Sequence, residues 1–224
     1  MAGLSVYIPV VFFVVIVGVT ITIRIYSRQK EKERTRQLQI AAGQLGWNFA
    51  PAAPLNMIPG LERFTLFNHG HGREIKNMMY GVANGVKAAV FDYIYVTGSG
   101  RSRQTHYQSV VYLEPGNLSI PFFTLRPEGF FHKLISALGY QDIDFGQRPT
   151  FSSQYLLRGP DEQAIRNIFS DRLLSFYETY AGTCTDGGGN QLFVFRSEYR
   201  LEPQEIQPYV GVGLSVLNLL PRYQ

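Results

Sequence analysis

Residues 84–97 read Asn84-Gly85-Val86-Lys87-Ala88-Ala89-Val90-Phe91-Asp92-Tyr93-Ile94-Tyr95-Val96-Thr97. Asn-Gly is the dipeptide favoured by a two-residue hairpin turn, because both turn positions take positive φ. The run behind it is β-branched and aromatic. A period of two sends Val90, Asp92, Ile94 and Val96 to one face and Phe91, Tyr93 and Tyr95 to the other. Asn77 to Gly81 supplies the partner strand before the turn. Further upstream, Leu61, Phe64, Leu66 and Phe67 lie near a turn at Asn68-His69-Gly70-His71-Gly72, and Pro51 to Pro59 reads as an irregular connector. Downstream, Gly98 to Arg103 is a polar loop, His106 to Glu114 a further strand, and Pro115-Gly116-Asn117 a turn into Ile120 to Leu125. The pattern predicts an antiparallel meander of about five strands.

Helical spacing takes over after Arg126-Pro127-Glu128. Phe130, Phe131, Leu134, Ile135 and Leu138 recur at that spacing, and Gly139 ends the run. Phe151 to Leu157 is strand-like. Gly159-Pro160-Asp161-Glu162 starts another helix, which turns Ile165, Ile168, Phe169, Leu173, Leu174 and Phe176 inward. Thr183-Cys184-Thr185 and Gln191 to Arg196 flank a turn at Asp186-Gly187-Gly188-Gly189-Asn190, and Glu205 to Leu220 closes with an apolar helical stripe. Strands followed by segregated helices describe an α+β fold. Leu45-Gly46-Trp47 and Leu138-Gly139-Tyr140 each end a helical run before a connector. They leave open a division of the body into two similar lobes, 43–139 and 140–224.

The N-terminus has a different character. Met1 to Ile23 contains no charged side chain, and from Leu4 to Ile23 only Ser5, Pro9, Gly18, Thr20 and Thr22 interrupt Val, Ile, Leu, Phe and Tyr. Twenty helical residues rise about 30 Å, the thickness of a hydrocarbon core, so the run predicts a transmembrane helix meeting the bilayer through residues 4–23. A cleaved signal peptide needs a basic n-region and a small-residue cleavage site, and neither is present. Arg24, Arg28, Lys30, Lys32, Arg34 and Arg36 follow the run, against Glu31 and Glu33, and nothing basic precedes it. The positive-inside rule then expects a single-pass protein of the cell (inner) membrane, with its N-terminus outside and its C-terminal domain cytoplasmic. The expected organisation is an N-terminal segment, 1–26, a basic helical linker that is a solvated spacer, 27–42, and a cytosolic α+β domain, 43–224.

Charge placement excludes one class of function. The net charge of +4 belongs to residues 24–36, whereas residues 37–224 hold fifteen basic and fifteen acidic side chains. A neutral body lacks the clustered cations that displace counterions from a duplex, so no nucleic-acid partner is expected. The basic flank instead suits anionic headgroups.

The search for chemistry finds no complete set. His69-Gly70-His71 lacks further ligands for a metal site, and Asp142-Ile143-Asp144 reads as a solvated edge. Asp144-Phe145-Gly146 spells a kinase metal-binding motif without the rest of a kinase. His106 and His132 are isolated, and the single cysteine, Cys184, has no local histidine base. Gly98-Ser99-Gly100 with Arg101 and Arg103 has a phosphate-loop composition but lacks the Gly-Lys-Ser/Thr ending, leaving Arg101 and Arg103 as candidate contacts for an anionic ligand or headgroup. No catalytic residue, cofactor or metal ligand is assigned.

Leu45-Gly46-Trp47, Phe64-x-Leu66-Phe67, Val90-Phe91-Asp92-Tyr93-x-Tyr95, Pro121-x-Phe123-x-Leu125-x-Pro127-Glu128 and Phe151-Ser152-x-x-Tyr155-x-Leu157-x-Gly159-x-Asp161-Glu162 together resemble a family of uncharacterised bacterial proteins with one N-terminal membrane helix and an α+β cytosolic domain. The resemblance implies architecture and no mechanism. Function is therefore expected to be a membrane-anchored binding or scaffolding module with a protein partner of unknown identity. The alternatives are a lipid or small-ligand binding domain at the inner membrane surface, and a hydrolase or transferase of unrecognised type.

Overall fold

The computed structural model describes residues 4–129 and 140–221, with the side chains of residues 4–11 and 14 outside that description. The expected helix of Phe130 to Leu138, with His132 and the second half of the Leu138-Gly139-Tyr140 echo, lies outside the described residues.

Helix α1, Leu4–Gln44, is one continuous element of 41 residues. Thr20 and Thr22 donate to the carbonyls of Ile16 and Gly18 one turn back. Among the described residues no helix is long and apolar enough to cross a membrane. No break separates α1 at residue 27. Its last turns pack into the body, with Leu38, Ala41 and Ala42 buried, so the residues expected to form a solvated spacer end as part of the core.

Strands β1 (Asn48–Ala53), β2 (His71–Ala83), β3 (Val86–Thr97), β4 (Gln104–Glu114), β5 (Ile120–Pro127), β6 (Tyr155–Arg158), β7 (Thr183–Gly189) and β8 (Gln191–Arg196) form one sheet in the order β1-β2-β3-β4-β8-β7-β5-β6, with every neighbouring pair antiparallel. The Asn84-Gly85 turn forms as expected, with φ of 48° and 78°. The meander does not continue into β5: the β7–β8 hairpin lies between β4 and β5, so strands of both sequence halves interleave in one sheet.

Three local readings change. Asn48–Ala53 is an edge strand despite Pro51, which an edge tolerates because its missing N–H faces outward. Phe151 lies in helix α2, Pro149–Gln154, which Pro149 opens, and the strand begins only at Tyr155. Asp186 to Gly189 belongs to β7 rather than to a turn. Glycine is required there because the ring of Phe123 lies 2.5 Å from where a Cβ of Gly187 would sit, and the ring of Phe122 fills the same place at Gly188.

One face of the sheet is covered by the end of α1 together with α2, α3 (Glu162–Ile168), α4 (Asp171–Thr179) and α5 (Ile206–Leu219). Ser170 caps α4 and breaks what the spacing presented as one helix. The other face is covered by residues 55–67, whose Leu61, Phe64, Leu66 and Phe67 pack on Phe91, Tyr93 and Phe193. The predicted division of β3 is observed: Val90 belongs to the first core, and Phe91, Tyr93 and Tyr95 to the second.

Candidate functional site

The one buried charged residue of β3, Asp92, organises a junction between α1 and the sheet. Arg34 donates through Nε and Nη2 to the two oxygens of Asp92, at 2.9 and 2.8 Å, and through Nη2 to the carbonyl of Leu201 at 3.0 Å. Ser109 Oγ and Asn77 Nδ2 donate to the same carboxylate at 2.8 and 2.9 Å. Asn77 reaches inward from an irregular stretch of β2, where its φ is +52° and the register with β3 shifts. Arg200 donates to both oxygens of Glu31 at 2.7 Å and to Asp92 at 3.2 Å. Four charged groups from α1, β3 and the segment after β8 thus alternate in sign.

Burial alone would push the Asp92 carboxyl up. The hydrogen bond and charge of Arg34, the charge of Arg200 and the Asn77 amide outweigh it and hold the group below its ordinary range. Glu31 is also lowered, first by its hydrogen bonds from Arg200. A bidentate guanidinium–carboxylate pair excluded from water fixes geometry. Both acids stay ionised and their hydrogen-bonding capacity is committed to partners, so the arrangement suits holding rather than proton transfer.

Beside the junction lies a cleft of about 560 Å³, bordered by Tyr26, Lys30, Glu31, Arg34, Arg200 and Glu202. Three further clefts are smaller and open. One of about 240 Å³ is lined by Phe64, Phe122 and Arg63, whose guanidinium sits 4.2 Å above the Phe122 ring. One of about 260 Å³ lies among Met57, Met78, Tyr80 and Tyr112, and one of about 350 Å³ lies between Trp47 and α5.

The chain shares its fold with a transport factor. It is similar to the crystal structure of the mycobacterial trehalose monomycolate transport factor A, TtfA, with a TM-score of 0.60 over 85% of this chain and 97% of that one. The two are 14% identical in sequence, a likeness that shows the fold alone. Neither a protein-family model nor a curated protein matches the chain.

The residues singled out in the sequence separate into different roles. Of the six basic residues after the apolar run, Arg24, Arg28, Lys30 and Lys32 are exposed, and Arg36 binds Glu33 on the helix surface. Arg34 is instead the half-buried junction cation. Arg101 and Arg103 are exposed on the loop between β3 and β4.

His69, His71 and His106 gather at that same end of the sheet. His106 stacks on Tyr95 with ring centroids 4.6 Å apart, and His69 meets the edge of the same ring. Burial, and then the charge of His106, lower the His69 pKa. His106 Nδ1 lies 2.5 Å from Glu198 and Nε2 lies 2.7 Å from the Thr97 hydroxyl. In the tautomer protonated on Nδ1, this is a hydroxyl–imidazole–carboxylate relay. Thr97, His106 and Glu198 line none of these four clefts.

Cys184 is fully buried, and burial pushes its thiol up to about 11, which removes it as a nucleophile. Asp142 accepts from Leu157 N, and the Asp144 carbonyl accepts from Arg166. Among the described residues no group of three or more His, Cys, Asp or Glu is placed to hold a metal.

Sequence reasoning did not pair Arg34 with Asp92. The available signal was a lone aspartate on an apolar face of a strand, which demands a buried cation from somewhere. A second pair went unrecognised for the same reason. Buried Arg126 binds buried Asp186, with N–O contacts down to 2.7 Å. Asp186 also accepts from Thr124 and from Leu66 N, pinning the 55–67 segment to the sheet.

Proposed function

We propose that this chain is a membrane-anchored binding module whose body is held at a fixed height and angle at the surface of the bilayer it enters. The anchor is the uncharged run from Leu4 to Ile23, and the basic flank places the N-terminus outside and the body in the cytoplasm. The observation that carries the reading is the Arg34–Asp92 junction. A tether that only localised its cargo would leave a loose linker after the membrane. Here the helix that bears the apolar run is locked by a largely buried ion pair onto an interior strand of the sheet, β3. Such a junction transmits orientation, which a docking module needs and a free-floating enzyme does not.

The two most apolar of the four clefts hold about 240 and 260 Å³, below the roughly 300–1,000 Å³ of sites that engulf drug-sized ligands, and the larger two, of about 350 and 560 Å³, are also open to solvent, which favours surface recognition over enclosure of a lipid tail. The likeness to a trehalose monomycolate transport factor supports a lipid-related role for the module.

The test is made in native membranes. The full chain should resist extraction by alkaline carbonate, and a C-terminal tag should survive protease added outside sealed cells. A photo-crosslinking residue at Gln37, beside the junction cleft, should give one discrete protein adduct that Arg34→Ala diminishes. Release into the wash, cleavage of the tag from outside, or a Gln37 adduct indifferent to Arg34→Ala would each overturn its part of the proposal.

A further inference from the structure

We propose that the loop between β3 and β4 is a second membrane contact, in which Arg101 and Arg103 bind the phosphates of anionic lipid headgroups on the leaflet that α1 enters. The inference rests on the reading of α1 as the anchor and adds a ligand class to it.

Direction comes first. Trp47, just beyond α1, lies against Gly81, which pairs with Ala88 of β3. Arg34 lies on Asp92. Moving from Trp47 back to Arg34 therefore moves from Ala88 to Asp92, so α1 and β3 run in opposite directions. The N-terminal half of α1 leaves the body on the side where β3 ends. From Asp92 to Thr97 the strand advances about 16 Å at ~3.3 Å per residue. From Arg34 back to Arg24 the helix advances about 15 Å at ~1.5 Å per residue. The loop and the basic flank thus extend from the body on the same side by comparable chain lengths, toward the headgroups if residues 4–23 span the hydrocarbon.

Charge comes second. Gly98 to Arg103 holds two arginines and no acid. Among the described residues, no hydrogen bond or ion pair engages the side chains of Arg101, Arg103, Arg24, Arg28, Lys30 or Lys32. The neighbouring acids are already occupied: Glu198 by His106, Glu31 by Arg200 and Glu33 by Arg36. What this end of the molecule offers to a ligand is unneutralised cation, in the residue type that grips phosphate bidentately.

The loop is also structured. Gly98 has a φ of +70°, and residues Gly100–Ser102 form a 3-10 turn closed by Ser102 Oγ donating to the Ser99 carbonyl at 2.9 Å. His71 contacts the Gly98 carbonyl at 3.2 Å, tying the loop to the start of β2. The arginines are therefore presented from a formed turn.

The experiment uses the full chain reconstituted in vesicles of phosphatidylcholine with or without phosphatidylglycerol. A fluorophore at Gln104→Cys, on the exposed base of the loop, is read against a headgroup-attached quencher; buried Cys184 stays unlabelled. A second preparation carries the label at Tyr26→Cys. Quenching at position 104 is expected only with phosphatidylglycerol. Arg101→Ala or Arg103→Ala should each lower the docked-to-undocked ratio about five-fold, and the pair about thirty-fold, as expected for cations at an anionic surface. If position 26 is quenched and position 104 is not, the second contact is refuted while the anchor stands. If position 104 is quenched equally in neutral vesicles or is indifferent to the arginines, the headgroup assignment is refuted. If neither position is quenched, the anchor reading fails and takes this inference with it.

Discussion

Replacing Arg34 with alanine removes the cation that closes the junction. Two charge-assisted hydrogen bonds to Asp92 and one bond to the Leu201 carbonyl are lost, and the carboxylate left behind is 2% exposed. Removing one member of a buried ion pair costs about 3–5 kcal/mol, most of it the expense of a stranded charge. Arg200, Asn77 and Ser109 still face Asp92, which places the loss near the lower end, about 3 kcal/mol. For a body of this size each kcal/mol lowers Tm by about 2–4 °C, so a fall of about 6–12 °C is expected. The assay is thermal unfolding of the full chain in detergent at neutral pH, followed by far-ultraviolet circular dichroism. Hydrogen exchange across residues 28–40 should rise in the same variant, because the last turns of α1 are held by this contact and by Leu38, Ala41 and Ala42. Arg34→Met combined with Asp92→Leu should recover part of the loss, since no carboxylate is then stranded while the Asn77 amide loses its acceptor. A fall under about 2 °C for Arg34→Ala would fit an exposed pair instead and refute the reasoning, as would a double variant no better than the single one.

The pH dependence follows from the same groups. Asp92 and Glu31 have folded pKa values held below their ordinary 3.8 and 4.5, so their contribution is complete above those values and lost as pH falls through the lowered ones. Asp142, raised by burial, acts with the opposite sign, its contribution being lost as pH rises through its folded value. The urea midpoint should therefore be flat near neutrality and fall in acid, and the fall should be shallower in Asp92→Asn; an unchanged acid limb in that variant would remove Asp92 as its source. Gly81→Ala should cost about 1–3 kcal/mol, because the new Cβ would lie 2.6 Å from Trp47 Cδ1. Trp47 is the only tryptophan, so its emission should shift with the substitution, and wild-type emission and stability would show that the ring does not rest on Gly81.

What the sequence determined by itself was local and periodic. Asn84-Gly85 specified a turn, because few other residues take positive φ at both positions. Alternation along Val90–Val96 assigned those side chains to faces, and Asp161 and Glu162 after Gly159-Pro160 marked the start of α3. Strand order was not available, because a β7–β8 hairpin inserted between β4 and β5 depends on pairings between residues far apart in the chain. Asp186-Gly187-Gly188-Gly189 looked like a turn for a related reason: its glycines make room for Phe122 and Phe123 on a neighbouring strand, and a run of sequence says nothing about what packs against it. The junction shows the same division. Arg34 reads like five other cations on a solvated helix, and Asp92 reads as one polar residue on an apolar face. Only the tertiary structure brings them within 2.8 Å, because the energy of an ion pair depends on distance and burial, and neither is a property of composition.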